Sequence, residues 1–174
     1  VALTVQDNDG ASSDEAFVII AVVNVPPVVS ITGAPATSPE GTAIALGSQV
    51  QDVDALTYAW SVLRNSEAFA LPNGTPTDQP DFAFTPTDDG LYEVHLAVGD
   101  GAVTVSSSQS IVVTGVAPTA VPKVSILSIN EGDAFTFGRI DISDPSSVDR
   151  ASLRYSFDWD GDGVLEIVDT DQAS

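Results

Sequence analysis

The sequence predicts an all-β protein made of repeated, two-sheet antiparallel β-sandwich modules. Three observations support this fold class. Short segments rich in β-branched and aromatic residues follow one another, turn-forming Gly, Pro, Asn and Asp separate them, and no segment has a convincing 3.6-residue helical period. About seven such segments within about ninety residues are typical of a sandwich domain.

An internal repeat sets the size of the module. Four short segments recur in the same order, at offsets between 91 and 97 residues. They are VALTVQD (1–7), VSI (29–31), EG (40–41) and LTYAW (56–60), and their counterparts begin at Val94, Val124, Glu131 and Leu153. Ordered self-similarity at nearly one spacing indicates tandem copies of a module of about ninety residues.

The repeat divides the chain into three parts. Residues 1–25 correspond to the last two strands (F and G) of a preceding copy, 28–115 to a complete copy, and 116–174 to the N-terminal part of a following copy. Proline-containing joints, NVPP (24–27) and VAPTAVPK (116–123), fall at the boundaries. Because proline fixes its backbone and donates no N–H bond, such joints are stiff connectors. The sequence is therefore expected to be part of a longer tandem array.

The predicted strands of the complete copy are short and are bounded by turn-forming residues. They are VVSITG (28–33), TAIALGSQV (42–50), LTYAWSV (56–62), DFAFTP (81–86), LYEVHLAV (91–98) and VTVSSSQSIVV (103–113). Segment SEAFAL (66–71) is the one place where a single helical turn is expected. Before the complete copy, the most apolar segment, AFVIIAVVNV (16–25), is too short to cross a membrane and predicts a buried strand.

Aromatic residues at two places specify the sandwich further. In DDGLYEV (88–94), Tyr92 follows an Asp-Gly turn and precedes an alternating strand. This is the arrangement of a tyrosine corner, in which the hydroxyl bonds back to the main chain. In TYAWSV (57–62), Tyr58 and Trp60 share one face of a strand, so Trp60 is expected to fill the core between the sheets.

These segments also resemble a known family. LTYAWSV and FAFTPTDDGLYEVHLAVGDG resemble the PKD-like family of immunoglobulin-like modules, and YSFDWDGDG (155–163) resembles its Tyr-x-Trp-Asp-Phe-Gly-Asp-Gly stretch. The resemblance extends over essentially the whole chain, with Phe157 where tryptophan is usual and WSVLRN (60–65) in place of the Asp-Gly run. It implies a sandwich module that is mostly a non-catalytic spacer or adhesion unit of large secreted or surface proteins.

The charge of the chain excludes several partners. Twenty-five Asp and Glu oppose five Lys and Arg, a formal net charge of −20, so the basic clusters that bind nucleic acid or anionic membranes are missing. Cysteine is absent, which excludes disulfides and thiolate metal ligands. No eighteen-residue apolar run occurs, so no membrane insertion is predicted within this segment. The charge favours cation binding.

The stretch DWDGDGVLEIVD (158–169) has the ligand spacing of a calcium loop. Carboxylates at alternate positions converge on one cation when a glycine permits a sharp turn. The candidate ligands are Asp158, Asp160 and Asp162 at loop positions 1, 3 and 5, the Val164 carbonyl at 7, Glu166 at 9 and Asp169 at 12. Because position 12 is usually Glu and no EF-hand helices are evident, an acidic turn at a strand end is the alternative.

Sandwich topology predicts two further groups of acids at opposite ends of the complete module. At the N-terminal pole, the BC and FG loops would bring together Asp52, Asp54 and Asp100. At the C-terminal pole, the AB and EF loops would bring together Glu40, Asp88 and Asp89.

This arrangement resembles the cadherin type, in which calcium bridges the C-terminal acids of one module and the N-terminal acids of the next. The third copy offers Asp144 at its BC turn, and the first offers Asp7 and Asp9 in its FG loop. Neither joint contains the Asp-x-Asn-Asp-Asn run of cadherin linkers. The alternative is that these aspartates form soluble turns without binding a metal.

The residues that support catalysis are sparse. His95 is the single histidine, and the alternation of LYEVHLAV places it on the exposed face of its strand, without the second His or Cys that a zinc site needs. No Ser-His-Asp set or phosphate-binding Gly loop is evident, and the prominent acids lie in turns. The chain is therefore predicted not to be an enzyme.

Three functions remain open. The first is a non-catalytic spacer segment of a long extracellular or cell-surface bacterial protein, stiffened by calcium, with neighbouring repeats as its partners. The second is an adhesion or carbohydrate-binding module of a surface protein or secreted hydrolase, which would bind surface glycans. The third is a self-assembling filament or surface-layer unit, in which other copies of the chain complete unpaired sheets by strand exchange.

Overall fold

The computed structural model describes residues 1–123, 130, 139–158, 161–165 and 167–170. The regular elements of the described chain are almost all β-strands, which confirms the predicted fold class. In chain order the elements are β1 (Ala2–Leu3), β2 (Ala16–Phe17), β3 (Val28–Thr32), β4 (Thr37–Pro39), β5 (Ile44–Gln51), β6 (Thr57–Arg64), β7 (Glu67–Ala68), β8 (Asp81–Phe84), β9 (Gly90–Gly99), β10 (Thr104–Thr114), β11 (Thr119–Lys123), β12 (Arg139–Ser143), α1 (Ser147–Ala151), β13 (Tyr155–Phe157) and β14 (Ile167–Thr170).

Strands β3 to β10 form a two-layer sandwich. One sheet has the order β3-β5-β8, and the other has the order β4-β10-β9-β6-β7. Neighbouring strands are antiparallel, except that β4 runs parallel to β10 with Thr37 opposite Val112. The flanking segments form two-stranded pairs, β1-β2, β11-β12 and β13-β14.

A single hydrophobic core lies between the two sheets. Alternation in β9 buries every second residue, because successive side chains of a strand point to opposite faces. Residues that share this core from both sheets are Ile31, Ile44, Leu46, Phe82 and Phe84 on one side and Trp60, Val62, Tyr92, Val94, Leu96, Val98, Ile111 and Val113 on the other. Trp60 stacks on Phe82 with 5.2 Å between ring centroids, as predicted for an aromatic residue that fills the core.

The tyrosine corner is confirmed. The Tyr92 hydroxyl is buried and donates a hydrogen bond of 2.9 Å to the Asp88 carbonyl oxygen. Burial raises the pKa of Tyr92, and the positive charge of Arg64 opposes that shift. The hydroxyl therefore stays protonated and ties the turn before β9 to the core, which positions the two acids of that turn at the C-terminal pole.

At two very short elements the structure differs from what the sequence predicted. Residues 66–71 contain strand β7 rather than a helical turn, since Asn65 and Ser66 both have positive φ and form the two-residue loop of a tight hairpin. The helix α1 was not predicted, because five residues are too few to display a helical period.

The apolar segment 16–25 was predicted to be a buried strand, and this was wrong. Only Ala16–Phe17 pair as a strand, and Ile19 is 84% exposed. A strand is buried only when a second layer packs against it. Within the described chain, no second layer covers this segment.

Candidate metal centre

Two buried acids of the sandwich lie at its C-terminal pole. Glu40 directly follows β4 and is 2% exposed, and its Oε1 accepts a hydrogen bond of 2.8 Å from the Val116 amide. Asp88, in the turn before β9, is buried and forms an ion pair with Arg64. Arg64 also donates to the carbonyl oxygen of the exposed Asp89. The pole is thus acidic but held in place by one guanidinium.

The segment after β12 contacts this pole. Asp144 is 5% exposed, and its Oδ1 accepts a hydrogen bond of 2.7 Å from the Ser146 amide. The buried Ser146 hydroxyl donates to Asp88 Oδ1 at 3.2 Å and also accepts from the first amides of α1, so it caps that helix. One side chain therefore joins the sandwich to the segment that follows it.

Three acids from the two segments converge at this contact. Glu40, Asp144 and Asp149 each place one carboxylate oxygen within 4.8 Å of the others. Glu40 Oε2 and Asp144 Oδ2 are fully buried and have no hydrogen-bond partner. A buried, unpaired charged oxygen is unfavourable unless a cation or a donor compensates it. The cluster therefore contains two buried carboxylate oxygens without a partner, and a bound cation would compensate their charge.

The electrostatics of the cluster agree with this geometry. Burial, followed by the negative charges of Asp88, Asp144 and Asp89, raises the pKa of Asp149, while Arg64 opposes the shift. Like-charged neighbours disfavour the ionised form of a carboxyl group. The positive charge of Arg64 thus does not fully offset the negative charge of the carboxylates at this junction.

The three acids predicted to meet at the C-terminal pole do not form one cluster. Glu40 belongs to the cluster, whereas Asp88 bonds to Arg64, Ser146 and the Asp89 amide, and Asp89 is exposed. Asp149 was missed by sequence reasoning. Its signal was the Ser-x-x-Asp pattern from Ser146 to Asp149, which is typical of a helix start.

The predicted N-terminal group is more dispersed. Asp52 Oδ1 accepts a bond of 2.8 Å from the Asp54 amide, and its Oδ2 is buried without a partner. Asp100 Oδ1 accepts from the amides of Ala102 and Val103. These three aspartates do not place their oxygens within the spacing found in the other cluster. Whether they bind calcium remains a prediction.

Replacing Asn24 by alanine is expected to raise the pKa of Asp100. The Asn24 amide donates to Asp100 Oδ2 at 2.9 Å, and this bond, ahead of the two backbone amides, lowers that pKa below its usual range. Because the folded-state pKa is depressed, the associated stability is present at neutral pH and is lost as pH falls through it. Carboxyl titration by NMR in calcium-free buffer measures the shift. An Asn73→Ala control should leave Asp100 unchanged, and an unchanged Asp100 in Asn24→Ala would contradict the prediction.

Part of the predicted calcium loop lies outside the described residues. This applies to Asp160, Glu166 and the side chain of Asp169. Asp158 accepts bonds from the amides of Gly161 and Gly163, and Asp162 Oδ1 accepts from the Val164 amide at 2.7 Å. Strands β13 and β14, which flank the loop, pair with each other, so the loop joins the two strands of a hairpin and not two helices. Its calcium binding stays a prediction.

His95 does not have the exposed position that was predicted. It lies on the outer face of β9 as expected, but its Nε2 is buried and has no hydrogen-bond partner. The reason is that β9 is a central strand, with Ser61 and Ser108 directly opposite His95 on its two neighbours.

The two sheets, their shared core and the tyrosine corner define an immunoglobulin-like β-sandwich module. Residues 29–113 match the family model of the PKD domain, and this segment is a PKD-like, immunoglobulin-like repeat. No curated protein matched the chain in a sequence search. PKD domains are typically non-catalytic modules and occur in extracellular proteins. Among the described residues, no helix has the length and apolar character needed to span a membrane.

Proposed function

We propose that this chain is a non-catalytic structural segment of a long extracellular bacterial protein, built of tandem β-sandwich modules and stiffened by calcium. The observation that carries the proposal is the docked contact at the C-terminal pole of the sandwich. There the Ser146 hydroxyl bonds to Asp88, and Pro145 packs against Gly41. Modules that dock on one another keep a fixed relative orientation and so form a stiff rod, whereas modules joined by free linkers move relative to one another.

Four features of the chain support a spacer rather than a catalyst. The candidate metal-binding acids of the sandwich lie outside its strands, at its two ends, and the core between the sheets is filled with apolar side chains. The joint between modules contains proline, which limits bending. The Val116 amide in that joint also bonds to Glu40, which fixes the direction in which the chain leaves the sandwich.

Distances between two spin labels on either side of the junction, measured by double electron–electron resonance, test the proposal. The chain has no cysteine, so Ser110→Cys and Ala151→Cys introduce two spin labels, one on each side of the contact. We expect one narrow distance distribution in the presence of calcium. A reference pair within the sandwich, Ser110→Cys with Ala83→Cys, gives the width contributed by the labels alone. A distribution across the junction much broader than the reference would contradict a stiff spacer.

A further inference from the structure

We propose that Glu40, Asp144 and Asp149 form a calcium site that bridges the sandwich and the segment that follows it. The inference rests on the proposed function, and it assigns the stiffening cation to a particular place. The site takes one ligand from the end of β4 and two from the region around α1. Calcium bound there would hold both segments at once.

Each of the two buried ligands is oriented before any cation arrives. Glu40 uses Oε1 to accept the Val116 amide and leaves Oε2 unpartnered, and Asp144 uses Oδ1 to accept the Ser146 amide and leaves Oδ2 unpartnered. One oxygen thus anchors the carboxylate, while the other is buried and has no hydrogen-bond partner. Such preorganisation lowers the entropy that must be lost on binding.

The ligand chemistry and spacing fit calcium. The cluster offers only carboxylate oxygens, which are ligands for hard cations. Oxygens that bind one calcium ion at about 2.3–2.6 Å lie at most about 5 Å apart, and the three oxygens lie within 4.8 Å of one another. Magnesium, with bonds of about 2.1 Å, requires a closer and more regular set.

Neighbouring residues support a cation at this position. Asp88 is occupied by Arg64 and Ser146, so it does not compete for the site but adds negative charge beside it. A divalent cation at this position would offset the excess of negative charge that these neighbouring carboxylates create.

Calorimetric titration of the 174-residue chain with calcium chloride, and separately with magnesium chloride, tests the assignment. The variants are E40Q, D144N and D149N, and the matched control is E15Q, an exposed acid outside the cluster. In E40Q and D144N the amide oxygen still accepts the anchoring backbone bond, so the change removes charge rather than structure. Any heat from the other acidic loops is common to all variants.

The wild type and E15Q are expected to bind one more calcium ion than the three variants, or to bind it about 10–100-fold more tightly, with magnesium weaker. Equal calcium affinity and stoichiometry in E40Q, D144N and E15Q would overturn the site. Circular dichroism checks that each variant folds. If E40Q does not fold, D149N decides the outcome, because Asp149 is only partly buried and its replacement should leave the fold intact. If the junction distances are narrow but calcium binding is unchanged in the variants, the site fails and the spacer proposal stands.

Discussion

Replacing Trp60 by alanine is expected to lower the free energy of unfolding by about 3–5 kcal/mol. Trp60 is buried, stacks on Phe82 and donates its indole N–H to the Gln79 carbonyl oxygen at 2.8 Å. Truncation would leave a cavity between the sheets and an unpaired carbonyl group. Because small domains are stable by only about 5–15 kcal/mol, this change removes a large part of the total.

Denaturant unfolding followed by circular dichroism measures the loss, since the substitution would remove one of the two tryptophans that fluorescence reports on. Trp60→Phe keeps a ring beside Phe82 but removes the hydrogen bond, and should fall between alanine and the wild type. Val53→Ala is the surface control, because Val53 is fully exposed and its truncation should change stability by less than about 0.5 kcal/mol. Equal midpoints for Trp60→Ala and Val53→Ala would show that Trp60 does not support the core.

The sandwich was predictable because its signals are local. Alternation in β9 identified Val94, Leu96 and Val98 as buried, and the Asp-Gly turn before Tyr92 identified the corner that fixes the strand's start. The exposure of the segment 16–25 was not predictable, since burial depends on a second layer of structure and not on the segment's own composition. A pattern of apolar residues shows what a segment would bury, not whether a partner covers it.

The only part of the candidate site that could be predicted is the part that follows from the order of the loops in a sandwich. Loop order in a sandwich places Glu40 and Asp88 at one pole, and both lie there. Asp149 could not be assigned, because its approach to Glu40 depends on how the following segment docks. The pairing of Asp88 with Arg64 was equally hidden, since it depends on a contact between residues 24 positions apart.

Replacing Gly41 by alanine is expected to open the junction while leaving the sandwich folded. Gly41 has φ +72°, and a Cβ placed on it would lie 2.5 Å from the Pro145 Cβ. Real side chains do not tolerate such a separation, so Pro145 must move away. Because Asp144 precedes Pro145, that movement would separate Asp144 from Glu40. The distance distribution between labels at Ser110→Cys and Ala151→Cys should broaden, and calcium affinity at the proposed site should fall.

Gly74→Ala is the matched control for this change. Gly74 also has a left-handed backbone, with φ +86°, but an added Cβ there meets no atom within 4 Å. Both variants therefore carry the backbone strain of about 1–2 kcal/mol that an L-residue incurs in this conformation. Only Gly41→Ala adds the contact with Pro145, so the difference between the two variants isolates the junction. If both variants give the same narrow distance distribution, the close packing of Gly41 on Pro145 does not hold the two segments together.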